Sequence, residues 1–181
     1  RVLDDFGPKY LNSSDSVLYK KNRNLYFTND FITATKKKGY AFIVEGYFDV
    51  LSLNKLGFAN AASPSGTALT YQQLESVSKY TSKILICFDN DKAGLKATER
   101  VLEIKNQISK QVDIHCLNLP AEYKDISDVF ELNPEAFKDI LKNNDEIIEY
   151  LLNKFLKNES NKKSVFNYFR KITAKLSPLE V

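Results

Sequence analysis

Two stretches, YAFIVEGYFDV (residues 40–50) and KILICFDND (residues 83–91), decide the fold of this chain. Each is a short apolar run that ends at an acidic residue. Apolar runs of about four to eight residues are typical of strands buried inside a sheet. Two further strands are predicted, a weak one at 60–63 and an alternating one at 112–119. The chain is therefore expected to contain a four-stranded sheet.

Helical patterns separate these four strands. A short helix is expected at about 30–37, and apolar residues at helical spacing predict helices at 50–56 and at 93–108. Thr70 is a candidate N-cap for a helix that runs to about residue 80. Strands that alternate with helices favour an α/β fold in which a parallel sheet has helices on its faces. After Ile126 the pattern is wholly helical, so we expect a small C-terminal helical bundle.

The overall composition is that of an ordinary soluble domain. Of the 181 residues, 43% are hydrophobic and 27% are charged. The net charge of +3 permits a nucleic-acid partner without arguing for one. No apolar run is long enough to predict a membrane span, and the start is no signal peptide. Because the first residue is Arg1 and not Met, we expect a chain that begins inside a longer protein.

The cysteines and the histidine favour no zinc site. Cys87 and Cys116 form no CxxC pair, and neither a disulfide framework nor a zinc site is indicated. Cys87 lies in an apolar run, where a buried thiol acts as a small hydrophobic side chain. His115 is the single histidine of the chain and is interpreted as structural or solvent-facing.

The acidic residues fall at informative places, because five of them follow three different strands and a sixth lies one helical turn later. These six are Glu45, Asp49, Asp89, Asp91, Asp125 and Asp128. If the strands are parallel neighbours, the carboxylates meet at one edge of the sheet, where ligands of such sheets bind.

Crowded carboxylates need a cation, because their mutual repulsion raises each pKa. Oxygen ligands without Cys or His suit Mg²⁺, or Mn²⁺ in its place, and such sites take substrate phosphates as further ligands. We therefore predict a magnesium site for phosphoryl chemistry. The simpler alternative stays open, since Asp often follows a strand because turns favour it, and Asp49 could be an N-cap.

These segments resemble a known family. The stretches VEGYFDV (44–50) and FDNDKAG (88–94) are similar to the TOPRIM domain, which primases, topoisomerases and some nucleases share. The flanking segments resemble bacterial replicative primases of the DnaG type. These segments are RVL (1–3), PKYLNS (8–13), KNRNLY (21–26), GTALT (66–70), LP (119–120) and KD (124–125).

The resemblance implies a TOPRIM fold and the synthesis of short RNA primers from nucleoside triphosphates on single-stranded DNA. Residues 1–38 would end an N-terminal subdomain, 39–130 would be the TOPRIM domain and 131–181 a truncated helical subdomain. The implied location is the bacterial cytoplasm, at the replication fork. Zinc and the replicative helicase would bind domains that lie outside this sequence, and the isolated chain is expected to have little activity.

The resemblance also implies roles for individual residues. Glu45, Asp89 and Asp91 would be catalytic and bind the metal. Asp49 and Asp125 would complete the metal ligands. Three basic residues would bind the phosphates of the triphosphate or the template, namely Arg1, Lys9 and Lys21. From the residues alone, basic side chains such as Lys9 and Lys21 more often belong to a solvated surface.

The sequence departs from the family pattern at two positions near these acids. Asn90 stands where the family usually has a glycine between its paired aspartates. Ser127 stands where the family has the second acid of an Asp-Pro-Asp motif. Asp128 does not simply replace that acid, because one step along a helix turns a side chain by about 100°. We expect Asp128 to favour the helix start instead.

Two alternative functions stay open. A topoisomerase would need a nucleophilic tyrosine on a separate domain, and none of the ten tyrosines can be assigned that role. A TOPRIM nuclease is the related enzymatic alternative. A non-catalytic TOPRIM scaffold in DNA repair could lose the glutamate at position 45, yet the sequence retains it.

Overall fold

The computed structural model describes Ser16, residues 20–159 and residues 161–175. Within these residues, six strands form one sheet, in the order β1-β3-β2-β4-β5-β6. The strands are β1 (Tyr26–Phe27), β2 (Tyr40–Val44), β3 (Ala61–Ser63), β4 (Lys83–Cys87), β5 (Asp113–Leu117) and β6 (Asn144–Glu146). The helices are α1 (Phe31–Lys38), α2 (Tyr47–Lys55), α3 (Tyr71–Ser78), α4 (Lys92–Lys105), α5 (Ile126–Leu132), α6 (Phe137–Lys142), α7 (Ile147–Asn158) and α8 (Lys162–Thr173). A 3₁₀ turn at Pro134–Ala136 precedes α6.

The sheet is mixed, which corrects the prediction of a four-stranded parallel sheet. The inner strands β3, β2, β4 and β5 pair in parallel. β1 pairs antiparallel with β3 at one edge, and β6 pairs antiparallel with β5 at the other. The α/β class is confirmed, whereas the expectation of an entirely helical chain after Ile126 is wrong because β6 interrupts it.

Alternating side chains of the inner strands build two cores. In β2, Ala41 and Ile43 face one side of the sheet, where they join α1, α3, α4, α7 and α8. Phe42 and Val44 face the other side, where they join α2, α5 and α6. All four side chains are fully buried. The sheet is thus the middle layer between two layers of helices.

The C-terminal helices pack on the sheet, so the separate helical bundle that the sequence predicts is not what the structure shows. Ile147 and Leu151 of α7 are fully buried in the same core as the inner strands. Tyr168 and Ile172 of α8 belong to that core as well. The predicted domain boundaries stay predictions. Within residues 20–159 and 161–175, no helix combines the length and the apolar character that a membrane crossing requires.

Thr70 caps α3 as predicted, and the cap also fastens the segment before β1. The Thr70 hydroxyl accepts a hydrogen bond from the Gln73 N–H, and the Gln73 side chain accepts one from the Thr70 N–H. The Gln73 amide then donates to the carbonyls of Lys21 and Asn24, at 3.1 and 2.8 Å. The Thr70 hydroxyl donates to the Asn22 carbonyl. The backbone around Lys21 is therefore held against α3.

Candidate metal centre

The strand register brings the first two acids together. Val44 pairs with Cys87 at the carboxyl ends of β2 and β4. Glu45 follows one strand end and Asp89 lies just beyond the other. The Asp89 N–H donates to the Glu45 Oε1 at 3.1 Å. A carboxylate from one strand is thereby fixed on the acidic turn of its neighbour.

The acidic turn 89–91 is fastened on several sides. The Asp91 carboxylate caps α4 by accepting from the N–H groups of Ala93 and Gly94, at 2.8 and 2.9 Å. The Asp89 carboxylate pairs with the Lys124 ammonium at 2.9 Å. The Asn90 N–H donates to the Lys124 carbonyl at 2.7 Å. The turn is therefore held by α4 and by the loop that precedes α5.

A second group of acids lies where α2 meets α5. Asp49 is only 6% exposed, and its Oδ2 accepts from the Gly46 N–H at 3.0 Å. Its Oδ1 accepts from the Ser127 hydroxyl at 2.9 Å and from the Ser127 N–H at 3.2 Å. The Asp125 carboxylate caps α5 through the Asp128 N–H.

Asp128 lies in the first turn of α5, as the sequence predicts. Its Oδ2 accepts from the Lys124 N–H at 2.8 Å. This bond directs the carboxylate back to the loop before the helix, so Asp128 acts as a helix-start residue here.

Two of the acids, Glu45 and Asp49, have a raised pKa. Burial raises the pKa of Glu45, and the charges of Asp89, Asp91 and Asp49 add to the rise. Burial likewise raises the pKa of Asp49 to about 6, with a contribution from the charge of Asp125. The hydrogen bond and the charge of Asp89 raise the pKa of Lys124, which favours its ammonium form. Burial and mutual repulsion therefore disfavour negative charge at this edge of the sheet, and a nearby cation would relieve that cost.

The chemistry of these donors suits a hard divalent cation, because all of them are carboxylate oxygens. In the described part of the chain, however, no three Asp, Glu, His or Cys side chains gather closely enough to hold a metal ion. Lys124 supplies a positive charge to Asp89 in the present arrangement. The metal roles of Glu45, Asp49, Asp89, Asp91 and Asp125 thus stay predictions.

Two lysines and one loop contact this site although the sequence predicted no role for them. Lys124 contacts Asp89, and Lys154 of α7 contacts Asn90. The end of β3 and the loop after it lie against Glu45, since the Ser63 hydroxyl and the Gly66 N–H both donate to the Glu45 carbonyl, at 2.6 and 3.4 Å. Within this loop Ser65 is buried with a positive φ of 62°. Such a φ in a residue other than glycine is uncommon and marks a backbone that its surroundings fix.

The predicted phosphate-binding residues are only partly within reach of the structure. Arg1 and Lys9 lie outside the described residues. Lys21 is partly exposed, in the segment that Gln73 and Thr70 hold against α3. Its role in binding phosphates stays a prediction.

Comparison with known proteins agrees with this geometry. Residues 42–130 match the Toprim-like family. The chain is 34% identical over 169 residues to a DNA primase of Aquifex aeolicus, a match that covers 93% of this chain and 34% of that protein. The chain thus spans about a third of the length of this curated relative.

Solved structures of primases share the fold. The structure of the zinc-binding and RNA polymerase domains of the Aquifex aeolicus primase matches with a TM-score of 0.78 and 32% identity, over 98% of this chain and 43% of that one. The DnaG primase catalytic domain bound to single-stranded DNA matches with a TM-score of 0.70 and 26% identity, over 88% of this chain and 51% of that one.

Proposed function

Because this chain is a homologue of the bacterial DNA primases and corresponds to part of their catalytic core, we propose that it forms the metal-binding centre of a primase. The whole protein would join nucleoside triphosphates into short RNA primers on a single-stranded DNA template. Zinc and the replicative helicase would bind other parts of that protein. Without those parts, the isolated chain would have little activity.

One observation carries the proposal most directly. The Glu45 carboxylate accepts from the backbone of Asp89, which joins an acid at one strand end to the acidic turn at the next. This contact brings the Glu45 carboxylate to the acidic turn of the neighbouring strand, which supports a shared cation site at the edge where open α/β sheets bind ligands.

The donor set indicates which residues would hold a divalent cation. Glu45, Asp89 and Asp91 would hold Mg²⁺, while Asp49 and Asp125 would lie beside a second, weaker position. When bound, such an ion neutralises charge that develops on the phosphates. Lys124 would then exchange its contact with Asp89 for one with a phosphate oxygen. Lys21 would attract the triphosphate or the template by its charge.

The substitution Glu45→Gln tests the proposal in the full-length protein. Glutamine keeps the oxygen that accepts from the Asp89 N–H but removes the charge. Primer synthesis from nucleoside triphosphates on single-stranded DNA should fall by about 10²-fold or more, while circular dichroism stays unchanged. The matched control is Glu122→Gln, because Glu122 is exposed in the loop before α5. Near-normal synthesis by the Glu45→Gln protein would reject the assignment.

A further inference from the structure

The Asn90 side chain lies within hydrogen-bond distance of four groups around the acidic turn. Its amide nitrogen has two N–H groups, which the carbonyl oxygens of Leu119, Pro120 and Tyr123 share at 3.4, 3.2 and 3.3 Å. Its Oδ1 accepts from the Lys154 ammonium at 2.8 Å. A glycine at this position could form none of these bonds. The side chain therefore joins the turn to the loop after β5 and to helix α7.

Lys154 is anchored on a rigid element. Helix α7 is fixed in the core by Ile147 and Leu151, both fully buried. The Lys154 ammonium also lies over the ring of Tyr150, 5.3 Å from its centre. Burial lowers the pKa of Lys154, since a half-buried ammonium loses hydration. A charge-assisted hydrogen bond to Asn90 offsets this loss and fixes the geometry of the pair.

We propose that Lys154 is a positioning residue of the metal centre, which acts through Asn90 on the two aspartates that flank it. Because Asn90 lies between Asp89 and Asp91 in the chain, a displacement of its backbone moves both carboxylates. The inference rests on the metal-binding role proposed above. It makes helix α7, which lies outside the matched residues 42–130, part of the centre.

The sign of one measurement separates positioning from simple electrostatics. Lys154 and Lys157 line the same cleft as Asp89 and Asp91. If Lys154 acted only by its charge, its removal would relieve repulsion and tighten the binding of a cation. If Lys154 holds the turn, its removal weakens cation binding although a positive charge has been taken away.

The experiment is a calorimetric titration of the 181-residue chain with Mn²⁺. Lys154→Met should weaken Mn²⁺ binding about tenfold, as is typical when a residue that orients a metal ligand is removed. The matched control Lys157→Met removes the same charge from the same helix without touching Asn90, and it should leave the affinity unchanged or slightly tighter. The double variant Asn90→Ala/Lys154→Met should bind no more weakly than Asn90→Ala alone.

Two results would overturn the proposal. One is unchanged or tighter Mn²⁺ binding by Lys154→Met, and the other is additive losses in the double variant. If Lys154→Met does not fold, Lys154→Ala removes the same ammonium with a good helix former, and the same loss of Mn²⁺ affinity is expected.

A measurement without metal keeps this inference separate from the proposed function. The backbone N–H of Asn90 donates to the Lys124 carbonyl. Its hydrogen exchange should be faster in Lys154→Met than in the parent chain. If the parent chain binds no Mn²⁺, the metal-binding proposal fails. Faster exchange would then still support the positioning of the turn by Lys154, and unchanged exchange would overturn it.

Discussion

Gly94 lies so close to the carbonyl group of Asp89 that a methyl group on its Cα would overlap the carbonyl oxygen. The same glycine donates its N–H to the Asp91 carboxylate that caps α4. The first turn of the helix and the acidic turn before it are therefore packed backbone against backbone. The close approach of the two backbones requires glycine at this position. The backbone conformation does not, because the φ of Gly94 lies outside the left-handed region.

The first prediction concerns Gly94→Ala. Since the obstructing atoms belong to the backbone, either α4 or the acidic turn must shift. We expect the free energy of unfolding to fall by about 1–3 kcal/mol, a typical cost of overpacking. Mn²⁺ binding should weaken as Asp89 and Asp91 move. Both quantities can be measured by urea denaturation and calorimetry.

The control for Gly94→Ala is Ala97→Gly. This change destabilises the same helix by about 1 kcal/mol but adds no atoms near Asp89. It should therefore lower stability and leave Mn²⁺ affinity unchanged. If Gly94→Ala binds Mn²⁺ as tightly as the parent chain, the position of this turn does not govern the metal centre.

The second prediction concerns the titration of Asp49. Its pKa of about 6 lies above the ordinary value of 3.8, so the folded chain binds the proton more tightly than the unfolded chain. The stabilisation by this proton is present in full below about pH 4. The contribution of Asp49 to the free energy of unfolding should fall as the pH rises from about 4 to about 6 and then level off.

Carboxyl ¹³C NMR can follow this group directly. We expect a midpoint near pH 6, a higher midpoint in Ser127→Ala, which lacks the hydroxyl that donates to Asp49, and a lower one when Mg²⁺ is added. A midpoint near pH 4 that Mg²⁺ does not move would contradict both the burial argument and the placement of Asp49 beside the metal.

The features that could be predicted from the sequence are those set by local pattern. The apolar runs at 40–44 and 83–88 locate β2 and β4, and Thr70 marks the start of α3. β1 and β6 have two and three residues, so neither contains enough alternation to be recognised. In α7 and α8, apolar residues recur at helical spacing, which predicts that one face of each helix is buried. This spacing does not show that the buried face packs on the sheet.

The candidate site divides in the same way. Acids that follow parallel strands meet at one edge whatever the loops do, so the nearness of Glu45 to the acidic turn could be expected. The contacts of Lys124 and Lys154 could not, because they depend on where a distant loop and helix dock. A long, flexible lysine in the sequence carries no signal of its partner.

The third prediction concerns Lys21. Its backbone is held by Gln73, so replacing the side chain should leave the fold intact. Lys21→Gln should weaken the binding of a nucleoside triphosphate or of single-stranded DNA to the full-length protein. Because the interaction is one of charge, the difference should shrink as salt is added. Lys37→Gln on α1 is the control, since Lys37 is exposed. Equal binding of all three proteins at low salt would make Lys21 a surface residue without this role.

The last prediction concerns Ser127, which stands where the related family has an acid. Its hydroxyl and its N–H both donate to the Asp49 Oδ1. Ser127→Asp removes one of these donors and adds a negative charge beside a buried carboxylate. Without a divalent ion we expect a loss of about 1–3 kcal/mol in the free energy of unfolding. The added oxygens should, however, create a tighter second site with Asp49 and Asp125.

Ser127→Asp should lower the stability of the metal-free chain but tighten its metal binding. These opposite effects make the test specific. Thermal unfolding should show Ser127→Asp as less stable than the parent chain without Mn²⁺, with a larger gain when Mn²⁺ is added. Calorimetry should count more tight Mn²⁺ sites in the variant. The control is Ser127→Asn, because asparagine is similar in size to aspartate but carries no charge. This variant should be less stable than the parent chain and should gain no Mn²⁺ site. If Ser127→Asp and the parent chain had equal numbers and affinities of Mn²⁺ sites, the serine at position 127 would not weaken metal binding. Since Asp128 bonds to the Lys124 N–H, it could supply the missing oxygen only if that bond opens in the presence of metal.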